Sequence, residues 1–285
     1  MNMASTSMND VIARWTSRAM LGICIFFTVL ILALLILVTG YLVSIGFKSI
    51  SWSFFTEVPG GDPEHPGGMR NAIEGTAILV GLAGIVGIPM GMLAGIYLAE
   101  YSTGSRLATP VRFISDVLAG VPSIVVGILG YELLVVPLGS YNGWAGALAL
   151  AFIMIPIVAR TTEEMLLLVP NSYREASIAL GATKARTILQ VVVPSATGSI
   201  ITGVMLAIAR VAGETAPLLF TALGSRLLTR NPNLPFPSLT VQIFAYATGP
   251  YEPFKRQAWA GILVLISLIF VLNLVIRYVT RGRRA

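Results

Sequence analysis

Long apolar runs, separated by short charged or Gly/Pro-rich connections, set the pattern of this chain. Residues 1–18 are polar and carry Arg14 and Arg18; an uncharged run from Ala19 to Phe47 follows. That run is longer than the apolar core of a cleavable signal peptide, so it predicts a retained membrane span. The stretch from Lys48 to Arg70, which includes VPGGDPEHPGG, predicts a loop. Gly75 to Ala99 predicts a second span, in which Gly87, Gly91 and Gly95 recur every four residues and form one stripe suited to close helix packing. Pro89 is a candidate kink that neighbouring helices in a bundle tolerate.

From Val117 to Ala159 the one charge is Glu132, and the run is too long for a single span. Gly139-Ser-Tyr-Asn-Gly143 predicts a tight turn dividing it into two. A fifth span is expected from about Ile188 to Phe220, a proline-bearing polar loop over 223–257, and a sixth span from Ala258 to Ile276. Six spans place both termini on one side. That side carries Arg14, Arg18, Arg106, Arg112, Arg174, Lys184, Arg186, Arg277, Arg281, Arg283 and Arg284, against Lys48, Arg70, Arg226, Arg230, Lys255 and Arg256 on the other. Eleven basic residues against six put both termini in the cytoplasm by the positive-inside rule.

Composition agrees. Apolar residues make up 55% of the 285 positions and charged residues 11%, with a mean hydropathy of +0.82. A soluble domain carries about a quarter charged residues, so the chain reads as a polytopic membrane protein. The net charge of +6 does not point to nucleic acid, because the basic residues cluster at the ends of apolar runs rather than in one stripe. Cys24 stands alone, which excludes an internal disulfide, and His65 stands alone, which leaves no metal cluster or histidine-based triad to expect. No Gly-x-x-x-x-Gly-Lys-Ser/Thr loop, Gly-x-Ser-x-Gly or His-Glu-x-x-His occurs, so neither nucleotide hydrolysis nor an intramembrane hydrolase is expected of this chain.

The polar stretch Ser172 to Pro194, SYREASIALGATKARTILQVVVP, stands out between two apolar spans. Pro170 stiffens its approach, and Ser172 and Glu175 have the Ser-x-x-Glu spacing of a capping box. A short helix follows, Gly181 is placed to end it as a C′ glycine, and Thr183-Lys-Ala-Arg opens a new helix. Charge inside the spans is the other unusual feature. Arg210 and Glu214 lie one turn apart, and Arg160 precedes Glu163 and Glu164. A charge at the bilayer centre costs roughly 2.5–3.5 kcal/mol on insertion scales, so each such residue faces a partner or a watery path. Either the glutamates neutralise their arginines as i+3 or i+4 pairs, or the arginines serve a permeating oxyanion, whose oxygens match the guanidinium fork. Pro217, without an amide hydrogen, is expected to loosen the helix beyond Arg210.

Glu175-Ala176-Ser177, Gly181 and the Val191-x-Val193-Pro194 ending resemble the "EAA loop" of ATP-binding-cassette (ABC) importer permeases, with conservative departures at Ser177, Val191 and Val193. More narrowly, IYLAEY (96–101), GVPSIVVGI (120–128), PIVARTTEEML (156–166), REASIALGATK (174–184) and LAIARVAGETAPLLFTAL (206–223) are similar to the A-type permeases of bacterial phosphate importers. The resemblance implies an all-α integral membrane protein with six transmembrane helices and the type I ABC importer permease fold. It implies an N-terminal tail over 1–18, a permease domain over 19–285 with a five-helix core at 73–285, and a coupling helix at about 172–182. In that fold the 117–136 and 144–168 spans would line the path together with the Arg210 span. It implies that Arg174, Glu175, Ala176 and Gly181 belong to the surface docking a separate ATPase, while Arg210, Glu214, Arg160, Glu163 and Glu164 are candidates for the substrate path. It further implies a homologous partner permease, an ABC ATPase dimer, an extracytoplasmic phosphate-binding protein and the bacterial inner membrane as setting. No cofactor is expected in this chain, ATP and Mg belonging to the partner ATPase. A permease for another oxyanion, sulfate or molybdate, is the near alternative; a passive channel or polytopic enzyme is the distant one. Glu214 discriminates weakly, since hydrogen phosphate offers a proton to a carboxylate and sulfate does not.

Overall fold

The computed structural model describes residues 8–62, 64–102 and 105–281. Arg283 and Arg284, counted above as topology charges, lie outside them. The described residues form helices joined by loops, with isolated bridges at Pro59–Gly67 and Leu223–Phe236. α1 (Met8–Gly46) is the predicted first span, extended back through Arg14 and Arg18. It stands apart from the rest, nearly all of it exposed, and meets the body only near its C-terminal end, where the Tyr41 ring sits edge-on to Trp259 at 5.8 Å. The predicted loop 48–70 holds one short helix, α2 (Trp52–Thr56), whose Phe54 is fully buried.

The body is built on α3 (Arg70–Glu100) and α7 (Gly143–Leu167). α7 is the central helix: 67% of its apolar window is buried, against 28% or less for the other long spans. The glycine stripe explains how α3 reaches it. A Cβ on Gly91 would lie 2.7 Å from Val158 Cβ, and one on Gly95 would lie 2.6 Å from Thr162 Cβ, so only hydrogen fits at these crossings. Lipid is as apolar as the side chains, so what holds the pair is dispersion contact over this close approach rather than escape from water. α3 runs unbroken through Pro89.

The third predicted span is broken. α4 (Ala108–Gly120) and α5 (Ser123–Gly130), the latter continuing through a π-turn at Tyr131–Val135 into α6 (Val136–Leu138), meet at 103° across Val121-Pro122. Pro122 disfavours helical dihedrals for the residue before it, and Val121 is accordingly extended, with ψ 131°. Apolar periodicity could not report this, because both halves are apolar. Five long helices qualify as spans, and the bent pair makes a sixth. The turn at 139–143 is present, with Asn142 capping α7 through a bond from Ala145 N to its Oδ1 at 2.8 Å.

After α8 (Asn171–Ala179) and α9 (Lys184–Thr187), a second π-turn at Ile188–Val192 leads into α10 (Val193–Ala212). Each π-turn lies just ahead of a proline, Pro137 or Pro194. A proline ring clashes with the carbonyl four residues earlier, and a widened turn relieves that clash.

Two expectations need correction here. The fifth span does not run to Phe220: it ends at Ala212, the chain breaks over Gly213–Thr215, and α11 (Ala216–Thr221) starts afresh with Pro217 in its first turn. The proline therefore heads a new helix, where its missing amide costs nothing. The supposed loop 223–257 contains α12 (Leu239–Ala247), with Leu239, Val241, Gln242 and Tyr246 buried. α13 (Glu252–Arg281) is the last span. A small second core of Phe54, Met69, Leu239, Tyr246 and Phe254 joins α2, α12 and α13 at the end of the bundle where α3 begins. The two ends are therefore distinct: α8 lies where α3 and α7 end, and α12 lies where they begin.

Candidate functional site

α8 is the exposed connection that the sequence predicts, with different caps. It begins at Asn171, so Ser172 is inside the helix and Pro170 occupies the N-cap without a side-chain bond. The capping box is not formed. The C-terminal end matches expectation. Gly181 has φ 84°, and bonds from Gly181 N to Ile178 O (2.9 Å) and Ala182 N to Ser177 O (3.2 Å) complete a Schellman turn. Among the described residues, its chain neighbours aside, nothing lies within 4 Å of a Cβ built on Gly181. None of the nine residues of α8 is buried, and Leu180 is 90% exposed. A short helix with no buried face and an apolar tip is a surface built to be covered.

Arg174 points the other way. Its guanidinium donates to Glu100 Oε1 at 2.6 Å, to Leu166 O at 2.9 Å and to Val169 O at 2.7 Å. Glu100 ends α3, Leu166 is in the last turn of α7 and Val169 follows it, so Arg174 clamps α8 to both central helices. A further bond between the Ser177 and Thr187 hydroxyls, 2.9 Å, ties α8 to α9. Of the proposed docking set, Glu175, Ala176 and Gly181 are free at the surface, while Arg174 is an anchor beneath it.

Arg160, Glu163 and Glu164 come together, but with partners that sequence reasoning missed. Arg160 donates to Asp116 Oδ1 at 2.9 Å and to Glu164 Oε1 at 3.1 Å, whereas Glu163 is taken by Arg112 through two bonds to one oxygen. These groups border a cavity of about 210 Å³ between α4 and α7. The available signal was the i, i+4 pair Arg112 and Asp116 on α4, complementary in sign to Arg160 and Glu163 on α7. Two guanidiniums among three carboxylates leave the cluster net negative, which does not suit an anion.

Arg210 differs. It lies in the last turn of α10, seven residues or about 10 Å of helix rise beyond Gly203, which packs on Thr161 of α7, and so near mid-height of α7 and farther from α8 than Arg160. Its Nε is 3.8 Å from Glu214 Oε1, beyond hydrogen-bond length, and its side chain is 57% exposed. Glu214 sits in the break after α10, and its backbone carbonyl accepts from Thr240 Oγ1 at 2.9 Å. The exposed positions Ser195, Thr202, Leu206 and Arg210 fall along one face of α10, so a helix with an apolar buried side carries hydroxyls and a loosely held charge on its open side. Such a face suits the passage of a hydrated anion.

Spans gathered round one buried helix, with an exposed short helix between two of them, define a multi-pass membrane transport subunit with the ABC importer permease fold. Solved structures agree: a bacterial alginate ABC transporter superposes with a TM-score of 0.66 over 98% of each chain at 15% identity. The MetNI methionine ABC transporter in an inward-facing form gives 0.62 over 76% of this chain and 98% of that one, at 19% identity. The chain belongs to the family described as the binding-protein-dependent transport system inner membrane component, matched over residues 87–285. Among its relatives are the "Phosphate transport system permease protein PstA" of Haemophilus influenzae, 42% identical over 92% of both chains, and that of Yersinia pestis, 44% identical over 82% of this chain and 79% of its own. The probable permease of the same name from Methanocaldococcus jannaschii is 38% identical over 74% of this chain.

Proposed function

We propose that this chain is the transmembrane permease subunit of an ATP-driven importer of inorganic phosphate. The observation that carries the reading is the near-full-length similarity, 42% identity over 92% of both chains, to a phosphate transport permease. The geometry supports it: α8 offers a surface anchored to α3 and α7, and Arg210 offers a loosely held positive charge deeper in the bundle. In this reading a homologous permease completes the pathway, a dimer of ABC ATPases receives α8, and a phosphate-binding protein delivers the anion on the opposite side. ATP and Mg are bound by the ATPase, and this chain takes no cofactor. The membrane is the bacterial inner membrane, with α8 and both termini cytoplasmic by charge balance. Arg210 attracts the anion and Glu214 orients the arginine; the cluster of Arg160, Glu163 and Glu164 borders the path nearer the cytoplasm.

The test is radiolabelled phosphate uptake by vesicles holding this chain with and without its partner permease, ATPase and binding protein. The full set imports phosphate with ATP, and this chain alone neither hydrolyses ATP nor concentrates phosphate. ATP turnover by the purified chain, or import of sulfate in preference to phosphate by the full set, overturns the reading.

A further inference from the structure

We propose that the cavity between the Leu223–Arg226 loop and α12 is a second oxyanion site, holding free phosphate on the face opposite the docking helix before it reaches Arg210. The proposal rests on the phosphate-import reading.

The cavity measures about 190 Å³, and Ser225, Arg226, Ser238, Gln242 and Tyr246 border it. That is well above the roughly 10–15 Å³ needed to admit one water. No carboxylate lines it, in contrast to the α4–α7 cavity with its three. Ser238 is 1% exposed, and its Oγ has no hydrogen-bond partner. It is the N-cap residue of the nine-residue α12, yet its hydroxyl does not cap the helix. The amide of Leu239 is taken by Thr76 Oγ1 at 2.7 Å, but among the described residues no acceptor takes those of Thr240 and Val241. Free first-turn amides and the positive end of the helix dipole favour an anion at that point.

The other groups are also donors. Arg226 forms no ion pair among the described residues; its Cζ lies 5.7 Å from the centre of the Phe254 ring. Gln242 Nε2 donates to Tyr246 Oη at 3.3 Å, which leaves the phenolic proton to donate elsewhere. Burial raises the Tyr246 pKa from its ordinary 10, outweighing Arg226 and Gln242, so the phenol keeps that proton at neutral pH. Leu223 has φ 62° and Gly224 φ 85°, a left-handed pair that a leucine adopts only where its surroundings hold it. The amides of Ser225 and Arg226 that follow have no acceptor among the described residues. Gln242 Oε1 already accepts from Asn71 Nδ2 at 3.2 Å, and donors converging without a carboxylate favour an anion with several oxygens. The site is joined to Arg210 through Thr240, whose hydroxyl donates to the carbonyl of Glu214.

The experiment measures binding of radiolabelled inorganic phosphate to the assembled importer in nanodiscs, without the binding protein. Ser238→Ala and Arg226→Gln are each expected to weaken binding about tenfold, as loss of a hydrogen bond to a charged group does. Ser238→Ala removes a buried, unpaired hydroxyl, so the phosphate-free complex is expected to melt no lower than the parent, while stabilisation by added phosphate shrinks. Parental affinity in both variants, or no phosphate binding by the parent complex, overturns the site. A change in anionic lipid retained by the variants, with phosphate binding unchanged, assigns the cavity to a lipid headgroup and also overturns it. Ser238→Ala decides the matter if Arg226→Gln fails to assemble. A parent importer that moves no phosphate sinks the import reading; a parent that imports, with variants that bind as it does, sinks the site alone.

Discussion

The α8 end of this bundle and the junction of α10 with α12 treat charge differently. Around α8, every arginine facing the body is held: Arg174 by Glu100 and two carbonyls, Arg160 by Asp116 and Glu164, Arg112 by Glu163. At the junction of α10 and α12, Arg210 keeps Glu214 at 3.8 Å and Arg226 has no carboxylate partner among the described residues, although Arg70 and Arg230, where α3 begins, share Glu74. A paired arginine in a low-dielectric setting is a strut, because separating it exposes two charges. An arginine with its fork free is a receptor for an incoming anion. In the proposed reading the contrast separates a region that transmits force from one that receives substrate.

The sharpest way to break that contrast is at the docking turn. Gly181→Asp should abolish uptake, falling to background in cells with a normal membrane level of the protein. A non-glycine residue in the left-handed region costs about 1–2 kcal/mol, and the added carboxylate lies on the surface proposed to meet the ATPase. Gly181→Asn tolerates the same dihedral without charge. It should keep part of the uptake, because this chain leaves space around the Cβ. Normal uptake in the Asp variant would remove α8 from the coupling route. Equal loss in both variants would mean that the ATPase approaches too closely for any side chain.

At the junction of α10 and α12, Arg210→Gln keeps bulk and donors but removes the charge. Phosphate uptake at matched membrane levels should drop about a hundredfold, the scale of losing a charged, multiply hydrogen-bonded contact. The double change Arg210→Gln with Glu214→Gln tests whether the pair is only a clasp. It should remain as poor as Arg210→Gln alone, and recovery of transport would reassign both residues to structure.

Much of this division was legible in the sequence. The spans, the glycine stripe and the Gly181 turn follow from spacing, since 3.6-residue periodicity and the left-handed dihedral leave local marks. Three things were not. The Pro122 break hid inside an apolar run whose two halves look alike. α12 hid because a helix buried by Phe54, Met69 and Phe254 needs no long apolar stretch of its own. The partners of Arg174, Arg160 and Glu163 lie 74, 44 and 51 residues away, and complementary charges on α4 and α7 do not by themselves say which helices meet. Helical spacing supplied only Glu164, the local half of Arg160's pairing.

A smaller effect is expected from the buried strut. Arg174 and Glu100 have side chains 18% and 6% exposed, so Arg174→Gln strands a carboxylate and also loses the bonds to Leu166 and Val169. Breaking one side of a buried pair costs about 3 kcal/mol. The purified complex should melt several degrees lower, with uptake down about tenfold and ATP hydrolysis less dependent on the binding protein. The double change with Glu100→Gln should restore part of the melting temperature, since no lone charge remains. Unchanged melting and coupling in Arg174→Gln would deny the strut.

The smallest effect belongs to Arg160. Its side chain is 62% exposed, and its two partners are 53% and 54% exposed, so water already screens the cluster. Exposed ion pairs contribute little to stability, and the melting temperature of Arg160→Gln should stay within about a degree of the parent. The same change deepens the negative charge of a cavity that already holds three carboxylates. If hydrated phosphate passes that cavity, the added repulsion slows it, and uptake should fall about threefold, less at high ionic strength, where charges more than about 10 Å apart are screened. Asp116→Asn in the same background removes one carboxylate and should return most of the lost rate. A loss that is independent of salt and not relieved by Asp116→Asn would place Arg160 in direct contact with the anion, and would move the receiving end of the subunit far deeper than Arg210.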